Sequence, residues 1–348
     1  MNLRIARLHG QCDLRIEAMP EPDHGADEVL VALGAGGICG SDLHYWQDGG
    51  FGPIRVREPI ILGHEAAGTV LSAGANVTAL SVGDVVALNP SHPCGTCKFC
   101  LQSAPQHCLS MRFNGSALRF PHEQGMFRDR IVMQAAQCHK IAPGVPMSRA
   151  ALAEPLAVCL RAFHRARAFI GDLGGKRVLI TGAGPIGAVC TMLAARAGAG
   201  EVVVTDLQDA TLAVAASVGA TRTVNVTTGD LAPWSEDKGA FDLVFECSAA
   251  APALRSAIAT VRPMGTIIQV GVAGDLPVPI NLIVGKEIAL VGTHRFHDEF
   301  AEAVSLINGQ SLPLGRIVTH AFPLDRIQEA METAADRSRS VKVQVTFG

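Results

Sequence analysis

A glycine-rich turn between two apolar segments constrains the fold of this chain more than any other feature. The stretch KRVLITGAGPIGAVCTMLAARAGAGEVVVTD (176–206) has the pattern of a buried strand, a tight turn, a helix and a second strand. Its turn, GAGPIG, places Gly182, Gly184 and Gly187 in the GxGxxG spacing. Glycines at these positions allow the tight turn, the approach of backbone to a pyrophosphate and close helix packing. The pattern predicts a βαβ unit that binds a dinucleotide.

An acidic residue follows at the distance that such a unit requires. Asp206 ends the second strand, 19 residues after Gly187. A carboxylate there accepts hydrogen bonds from the adenosine ribose and repels a 2′-phosphate, so NAD is favoured, with NADP still possible. A helix-capping role for Asp206 is the alternative. The other candidate cofactor contacts lie in the turn and around the later apolar run TIIQVG: Pro185, Ile186, Val270 and Val272.

Length and pattern predict two domains. The 348 residues exceed the usual size of a single core, and 48% apolar with 18% charged residues suits a well-packed globular protein. Before about residue 145, short apolar runs such as VLVAL lie between Gly and Pro turns, which is typical of a β-rich domain. From about residue 150, alternating strand and helix patterns predict an α/β domain with a doubly wound parallel sheet of the Rossmann type.

Charge and hydropathy exclude several classes of function. The formal net charge is -3 and no basic tract occurs, so nucleic-acid binding is not expected. The N-terminus lacks a long apolar core, and no window approaches 18 uninterrupted apolar residues, so neither a signal peptide nor a membrane span is predicted. We therefore expect a soluble cytoplasmic protein that acts on a small molecule.

Four cysteines lie in the short stretch PCGTCKFCLQSAPQHC (93–108). In a reducing compartment they are poor candidates for disulfides, and their spacing suits thiolate ligands converging on one tetrahedral ion. Buried free thiols or a redox CxxC pair are the alternatives. A four-sulfur cage leaves no coordination position for a substrate, so the reaction centre is expected elsewhere. The predicted structural zinc ligands are Cys94, Cys97, Cys100 and Cys108.

A second group of metal-binding residue types lies in GGICGSDLHYW (36–46) and LGHEAAG (62–68). Cys39, His64 and Glu65 offer sulfur, nitrogen and oxygen donors, and three protein ligands would leave one position open for a substrate oxygen. Taken alone, Cys39 could be a small buried residue and His64 a core histidine.

The order of GHEAAG, the four-cysteine stretch and GAGPIG resembles the zinc-dependent medium-chain dehydrogenase/reductase superfamily over essentially the whole chain. GICGSDLHYW and AEPLAV are similar to its polyol dehydrogenase branch, which includes sorbitol dehydrogenase. NPSHPCGTCKFC, MRFNGSALRFPH and GKEIALVGTHRF resemble, more narrowly, the L-idonate 5-dehydrogenase family of sugar-acid enzymes. The resemblance implies two zinc ions per chain and a nicotinamide cofactor.

The resemblance also implies roles for individual residues. Cys39, His64 and Glu65 would bind the catalytic zinc, with Glu154 contacting it directly or through water. Ser41 and His44 would relay the substrate proton. The positions that match the substrate pocket are Tyr45, Arg295 and Phe296.

Two further arginines lie in the segment that resembles the sugar-acid enzymes. Arg112 and Arg119 are therefore candidates to bind a substrate carboxylate, because a guanidinium offers paired hydrogen bonds to it. A surface or subunit-contact role is the alternative for each.

The domain order follows from the resemblance. It implies a GroES-like catalytic domain with the structural zinc lobe (1–148), a Rossmann NAD-binding domain (149–289) and a C-terminal segment (290–348) that returns to the catalytic domain. The active site would lie in the cleft between the domains. Members of this branch are commonly tetramers, so a homotetramer is expected.

The expected reaction is oxidation of a secondary alcohol by hydride transfer to NAD. The favoured substrate is a sugar acid, L-idonate, oxidised at C5 to 5-keto-gluconate. The first alternative is a dehydrogenase of neutral polyols such as sorbitol or xylitol. The second is a noncatalytic NAD-binding member of the superfamily, against which the complete set of zinc ligands and the intact glycine turn argue.

Overall fold

The computed structural model of the protein describes residues 2–348; Met1, the first residue of the predicted catalytic domain, lies outside the described residues. The strands of the described part are β1 Asn2–Gly10, β2 Asp13–Pro20, β3 Glu28–Gly37, β4 Gly50–Phe51, β5 Ile54–Arg55, β6 Ile60–Ile61, β7 Glu65–Ala73, β8 Val85–Leu88, β9 Ser91–His92, β10 Arg112–Phe113, β11 Arg130–Gln134, β12 Cys138–Lys140, β13 Arg177–Thr181, β14 Glu201–Asp206, β15 Arg222–Asn225, β16 Phe241–Glu246, β17 Val261–Gln269, β18 Ala289–Gly292, β19 Val318–Pro323 and β20 Lys342–Thr346.

The α-helices of the same residues are α1 Gly40–Asp48, α2 Lys98–Leu101, α3 Met147–Ala150, α4 Ala153–Ile170, α5 Pro185–Arg196, α6 Asp209–Ser217, α7 Ala251–Thr260, α8 Ile280–Lys286, α9 Glu299–Asn308 and α10 Ile327–Ala335. Single 3-10 turns lie at Pro105–His107, Ala135–Gln137, Ala232–Trp234, Glu236–Lys238, Leu314–Ile317 and Leu324–Arg326. No helix among residues 2–348 is long and apolar enough to cross a membrane.

Six strands from the middle of the chain form one parallel sheet in the order β15-β14-β13-β16-β17-β18. The chain moves outward from β13 in one direction and then returns to add β16 on its other side. This reversal opens a crevice at the carboxyl ends of β13 and β16, where folds of this type bind their ligands. The predicted doubly wound parallel sheet is confirmed.

The glycine turn lies at that crevice, between β13 and α5. Gly182 has a φ of +89°, a left-handed conformation that side chains disfavour. A Cβ on Gly187 would lie 1.8 Å from the carbonyl oxygen of Gly182, so the turn has no room for a side chain there. A Cβ on Gly184 would meet no atom within 4 Å, which leaves open space before α5.

A second, largely antiparallel sheet joins the two ends of the chain. Its seven strands follow the order β12-β8-β7-β3-β20-β19, and β11 also pairs with β3. The C-terminal strand β20 runs antiparallel to β3, whereas β19 and β20 are parallel. A smaller antiparallel sheet, β2-β1-β6, lies beside it. The β-rich part therefore includes the last residues of the chain.

One predicted domain boundary needs correction. The division at 289/290 would cut through β18, whose backbone pairs in parallel with β17 from Ala289 to Gly292. These hydrogen bonds make β18 the last strand of the parallel sheet, so that domain extends at least to Gly292. Helix α4 connects the two parts of the chain, and its Phe163 stacks on Phe245 of β16 at a ring-centroid distance of 4.4 Å.

Candidate active site

Three metal-binding side chains converge where β3, α1 and β7 meet. Cys39 is the residue immediately before α1, His64 immediately precedes β7, and Glu65 is the first residue of β7. One donor atom from each lies within 4.8 Å of the others. The sulfur, nitrogen and oxygen donors suit zinc, and a set of three leaves a tetrahedral position open.

Glycine in β3 makes the convergence possible. Gly37 pairs with Glu65 across the antiparallel β3–β7 ladder. A Cβ on Gly37 would lie 1.9 Å from Glu65 Oε2. Only glycine therefore leaves space for the Glu65 carboxylate at this point of the sheet.

Asp42 organises two of the three candidate ligands. Its carboxylate accepts hydrogen bonds from the Cys39 N–H (2.9 Å) and the Gly63 N–H (3.1 Å), and Oδ1 lies 3.6 Å from His64 Nδ1. Asp42 is fully buried. Such a carboxylate beside the second imidazole nitrogen fixes the ring orientation of a ligating histidine. Sequence reasoning missed Asp42, although an aspartate in the first turn after Cys39 is a capping signal.

Lys342 organises the third candidate ligand. Its Nζ donates to Glu65 Oε1 (2.8 Å), Glu65 Oε2 (2.7 Å) and the Ile38 carbonyl oxygen (3.0 Å). Only 2% of Lys342 is exposed, so the ammonium is buried against its partner. Sequence reasoning missed this residue as well. The signal was a lysine within the apolar alternation VKVQVTF, where a charge needs a buried partner.

Glu154, in the first turn of α4, is buried near this cluster but does not meet the 4.8 Å distance of the other three side chains. Burial raises the pKa of its carboxyl to about 7, with Glu65 also raising it and His64 lowering it. Burial lowers the pKa of His64, but Asp42 and Cys39 raise it well above its usual value. A buried pocket with several acidic groups favours a bound cation, which fits a divalent metal.

Ser41 and His44 lie on α1, which begins beside Cys39. Ser41 is half-buried, whereas His44 is exposed and its Nδ1 lies 3.0 Å from Asp48 Oδ2. The two residues therefore lead from the metal-binding cluster toward solvent, and a proton relay through them remains a prediction.

Arg295 and Tyr45 lie near the cluster. The Arg295 guanidinium carbon is 4.8 Å from the Phe113 ring centroid, and the Phe113 and His64 rings are 5.7 Å apart. Burial lowers the pKa of Arg295, while Glu154 and Tyr45 raise it. Tyr45 is buried, with its hydroxyl 3.4 Å from Ser116 Oγ. These contacts place one cation near the metal-binding cluster.

The structure contradicts the predicted role of Phe296. Only 1% of its surface is exposed, and its ring packs on Phe300 of α9 at 5.6 Å between centroids. A side chain enclosed in the core cannot line a substrate pocket. The neighbouring Arg295, which has a left-handed φ of +49°, packs over the ring of Phe113 instead.

The structure favours the surface alternative for Arg112 and Arg119. Arg112 is exposed and makes two hydrogen bonds to the Glu123 carboxylate, at 2.7 and 3.1 Å. Arg119 donates to the backbone carbonyl oxygens of Met111 (2.8 Å) and Leu109 (2.9 Å). Both guanidinium groups are used within their own loop, so the surface role is the better interpretation.

The four cysteines of 94–108 form a separate cluster, with their sulfurs within 4.8 Å of one another. Sulfurs around a zinc ion at ~2.3 Å lie about 3.8 Å apart. The Cys97 and Cys100 sulfurs are 3.6 Å apart. Backbone N–H groups of Cys94 and Ser110 donate to Cys108 Sγ at 3.2 and 3.3 Å, as expected for thiolates. The donor set fits a closed zinc cage.

The carboxyl edge of the parallel sheet has the features of a dinucleotide site. Asp206 Oδ2 accepts from the Ala183 N–H of the glycine turn (2.6 Å), and Oδ1 accepts from the Leu207 N–H (2.7 Å). Within residues 2–348, two buried oxygens at the ends of β17 and β18 lack hydrogen-bond partners: Gln269 Oε1 and Thr293 Oγ1.

The remaining candidate cofactor contacts lie at the same edge. Pro185 and Ile186 open α5, Val270 is half-buried, and Val272 is 63% exposed in a groove that also includes Thr293. Open space before α5, unpaired polar atoms and an exposed apolar side chain suit a ligand with phosphate, amide and ring parts.

Arg337 lies near charged groups of both sites. Burial lowers the pKa of this guanidinium, and both Cys39 and Asp206 raise it. Arg337 therefore lies within electrostatic range of the metal-binding cluster and of the cofactor edge.

Two family models match the chain: the alcohol dehydrogenase GroES-like domain over residues 25–143 and the zinc-binding dehydrogenase over residues 185–309. The chain is 38% identical to L-idonate 5-dehydrogenase (NAD(P)(+)) of Escherichia coli over 93% of both chains. It is 36% identical to sorbitol dehydrogenase of Gallus gallus over 99% of this chain and 96% of that one. The crystal structure of the E. coli L-idonate 5-dehydrogenase superposes with a TM-score of 0.93 at 34% identity, covering 100% and 99% of the two chains.

Proposed function

The chain belongs to the family of zinc-dependent alcohol and polyol dehydrogenases with a GroES-like domain, and from this premise we propose that it oxidises a sugar acid with NAD. The favoured reaction is L-idonate to 5-keto-gluconate, with two zinc ions per chain. The observation that carries the proposal is the three-ligand cluster, with Arg295 near it, in the same chain as a dinucleotide-binding edge; charges of both sites act on Arg337.

The proposed mechanism assigns work to groups of this chain. When bound, zinc would supply Lewis-acid polarisation of the substrate oxygen and NAD would supply the hydride acceptor. Asp42 holds Cys39 and His64 in place, and Lys342 holds Glu65.

The substrate and its proton are handled by side chains on either side of the cluster. The Ser41 hydroxyl accepts the substrate proton as it releases its own toward His44, which passes a proton to solvent at the surface. Arg295 holds the far end of the substrate. Closure of the cleft around the substrate excludes water from the reacting atoms.

A substrate screen tests the proposed function. Purified protein is assayed spectrophotometrically with L-idonate, D-gluconate, sorbitol and xylitol, each with NAD and NADP, and its zinc content is measured. Preference for L-idonate supports the sugar-acid assignment. Preference for sorbitol or xylitol establishes the polyol alternative, which the 36% identity to a sorbitol dehydrogenase favours. Binding of NAD without turnover of any alcohol establishes the noncatalytic alternative.

Arg295 is expected to distinguish acid from neutral substrates. Arg295→Met removes the cation that pairs with the carboxylate, so kcat/KM for L-idonate should fall about 100-fold, as for a lost charge-assisted pair. The loss on sorbitol should be about tenfold or less, because its hydroxyls form neutral hydrogen bonds with arginine. The measurement is the ratio of kcat/KM for the two substrates.

Matched arginines provide the control for this experiment. Arg112→Ala and Arg119→Ala remove guanidinium groups that are already bonded within their own loop, so the ratio should stay at the wild-type value. Equal losses on both substrates in Arg295→Met would show that Arg295 does not bind the carboxylate.

Asp206 is expected to set the cofactor preference. Asp206→Ser removes a carboxylate that bonds the glycine turn and would repel a 2′-phosphate. The NAD to NADP ratio of kcat/KM should fall by roughly 100-fold, with KM for NAD raised. Asp209→Ser, on an acidic residue of the following helix, is the control and should leave the ratio unchanged. A wild-type protein that already uses NADP as well as NAD would rule out this role.

We further propose a cytoplasmic homotetramer with the domain division given above, corrected at β18. Strand β18 is the edge of the parallel sheet and carries exposed Leu290, and the adjoining α8 exposes Ile280 and Val284. Apolar side chains beside an open edge are typical of a subunit interface. Size-exclusion chromatography with light scattering measures the assembly state.

A further inference from the structure

A row of polar residues ends the central strands of the parallel sheet. The strand register pairs Thr181 of β13 with Glu246 of β16, and Glu246 with Gln269 of β17. These are the last residues of their strands, at the edge where this fold binds its ligand. Glu246, the centre of the row, has 0% exposure.

The buried carboxylate of Glu246 is satisfied entirely by neutral donors. Oε1 accepts from the Thr181 hydroxyl (3.2 Å), the Ser248 N–H (2.8 Å), the Ala249 N–H (3.1 Å) and the Ser248 hydroxyl. Oε2 accepts from the Ala249 N–H (3.2 Å) and the Gln269 side-chain amide. A buried charge is tolerated only with such full hydrogen bonding, and it makes the bonds stronger than neutral ones.

These bonds hold the segment 247–249 between the glycine turn and the end of β17, which are the two parts of the cofactor edge. A Cβ on Gly182, in the glycine turn, would lie 3.1 Å from atoms of Ser248. A Cβ on Gly271, just after β17, would lie 2.6 Å from the Ala249 nitrogen and 3.0 Å from Glu246 Oε2. The segment therefore acts as a spacer that touches the glycine turn on one side and the end of β17 on the other.

The spacer contains a strained residue that Glu246 holds. Ala249 has a φ of +59°, in the left-handed region that is unfavourable for a residue with a Cβ. Its N–H donates to both oxygens of the Glu246 carboxylate. Glu246 also anchors the residues just after β17, because its backbone carbonyl oxygen accepts from the N–H groups of Val270 (2.9 Å) and Gly271 (2.8 Å).

We propose that Glu246 is a positioning residue for the cofactor: it sets the distance between the glycine turn, where the pyrophosphate binds, and the end of β17, where the nicotinamide binds. The inference rests on the proposed function, because it takes the ligand to be a nicotinamide dinucleotide. Glu246 itself touches no ligand and acts through residues 247–249 and Gln269.

The hydrogen bonding between Glu246 and Gln269 explains why an amide cannot replace the Glu246 carboxylate. Glu246→Gln has nearly the same shape, but its amide nitrogen would face another donor, either the Gln269 amide or the Ala249 N–H. A flipped Gln269 would accept that proton but turn its own oxygen toward the Gly271 carbonyl oxygen, to which its nitrogen now donates at 2.8 Å. Each arrangement therefore loses at least one hydrogen bond, either within the segment 247–249 or at its link to β17.

The test measures binding of NADH and of ADP-ribose, which lacks the nicotinamide, by isothermal titration calorimetry. We expect Glu246→Gln to raise the Kd for NADH roughly tenfold but that for ADP-ribose by about threefold or less, because only NADH spans both parts of the edge. A defect of the general fold would weaken both ligands equally. The double variant, which combines Glu246→Gln with Ala249→Gly, should recover part of the NADH affinity, since glycine adopts the left-handed conformation without strain.

Asp242→Asn is the matched control, because it makes the same chemical change at the opposite end of the same strand. Asp242 accepts hydrogen bonds from the Arg177 N–H (2.9 Å) and Arg262 Nε (2.8 Å), so the variant loses stabilising bonds far from the ligand edge. Both Kd values should stay at the wild-type level even if the melting temperature falls.

Each outcome decides the inference. Unchanged NADH binding in Glu246→Gln, or equal weakening of NADH and ADP-ribose, overturns it while leaving the proposed function intact. If Glu246→Gln does not fold, Thr181→Val, which removes a buried donor to the same carboxylate, is measured in its place with the same criteria. A wild-type protein that binds neither NADH nor ADP-ribose overturns the proposed function, and the inference with it.

Discussion

Replacing Cys39 with alanine is expected to lower kcat/KM by at least about a thousandfold, because a catalytic metal site that loses its thiolate loses its ion or holds it in the wrong geometry. The fold should remain, since Cys39 is half-buried at the start of α1 and Asp42 still caps that helix through the backbone N–H. Zinc content should fall from two ions per chain to one.

Cys97→Ala is the counterpart at the four-cysteine cluster. It should also lose one zinc ion, but the main effect should be a lower melting temperature, because a structural site contributes folding energy. Thermal unfolding, zinc analysis and kinetics on both variants form one experiment. A wild-type protein with a single zinc, or a Cys97→Ala protein as stable as wild type with unchanged zinc content, would contradict the assignment of two separate sites.

Replacing Lys342 with methionine is expected to destabilise the metal-free protein by about 3 kcal/mol or more, because Glu65 is left as a buried charge without a cation. Both Glu65 oxygens bond to Lys342 Nζ, and both side chains are about 2% exposed or less. The melting temperature should fall by roughly 5 °C. The loss should be smaller with zinc present, because the ion then compensates Glu65.

Lys140→Met is the matched control for this change. Lys140 also pairs with a carboxylate, Asp84 at 2.8 Å, but its side chain is 54% exposed, so its loss should cost under about 1 kcal/mol. Differential scanning calorimetry with and without a chelator measures both variants. Equal destabilisation by the two substitutions, or no dependence on zinc for Lys342→Met, would contradict the role of the buried pair.

Most of the fold was predictable because its signals are local. The glycine turn is a local signal, because its backbone conformation and its close contact involve only a few adjacent residues. The φ of +89° at Gly182 is an example. The parallel sheet follows from alternating strand and helix patterns, and the strand order that was found is the one such a unit adopts. The boundary at 289/290 was wrong by a few residues because Ala289–Gly292 joins the sheet only through pairing with β17.

The site was predictable only in part. The two cysteine-containing motifs indicated metal ligands, and the side chains they name do converge. The predicted roles of the arginines in the segment 111–122 found no support, because a sequence shows that a guanidinium is present but not that it already bonds to Glu123 or to a backbone carbonyl oxygen. Phe296 was misassigned since side-chain direction after β18 depends on α9, against which it packs.

The sequence by itself determined the features whose cause lies within a few residues. These are the βαβ unit with its glycine turn, the closely spaced cysteines, and the adjacent His64 and Glu65 at one strand end. Only the tertiary structure decided which distant charges meet. Lys342 reaches Glu65 across 277 positions, and Glu246 gathers donors from β13, β17 and its own turn. Burial makes these contacts strong, and burial is a property of the packed chain that no local pattern contains.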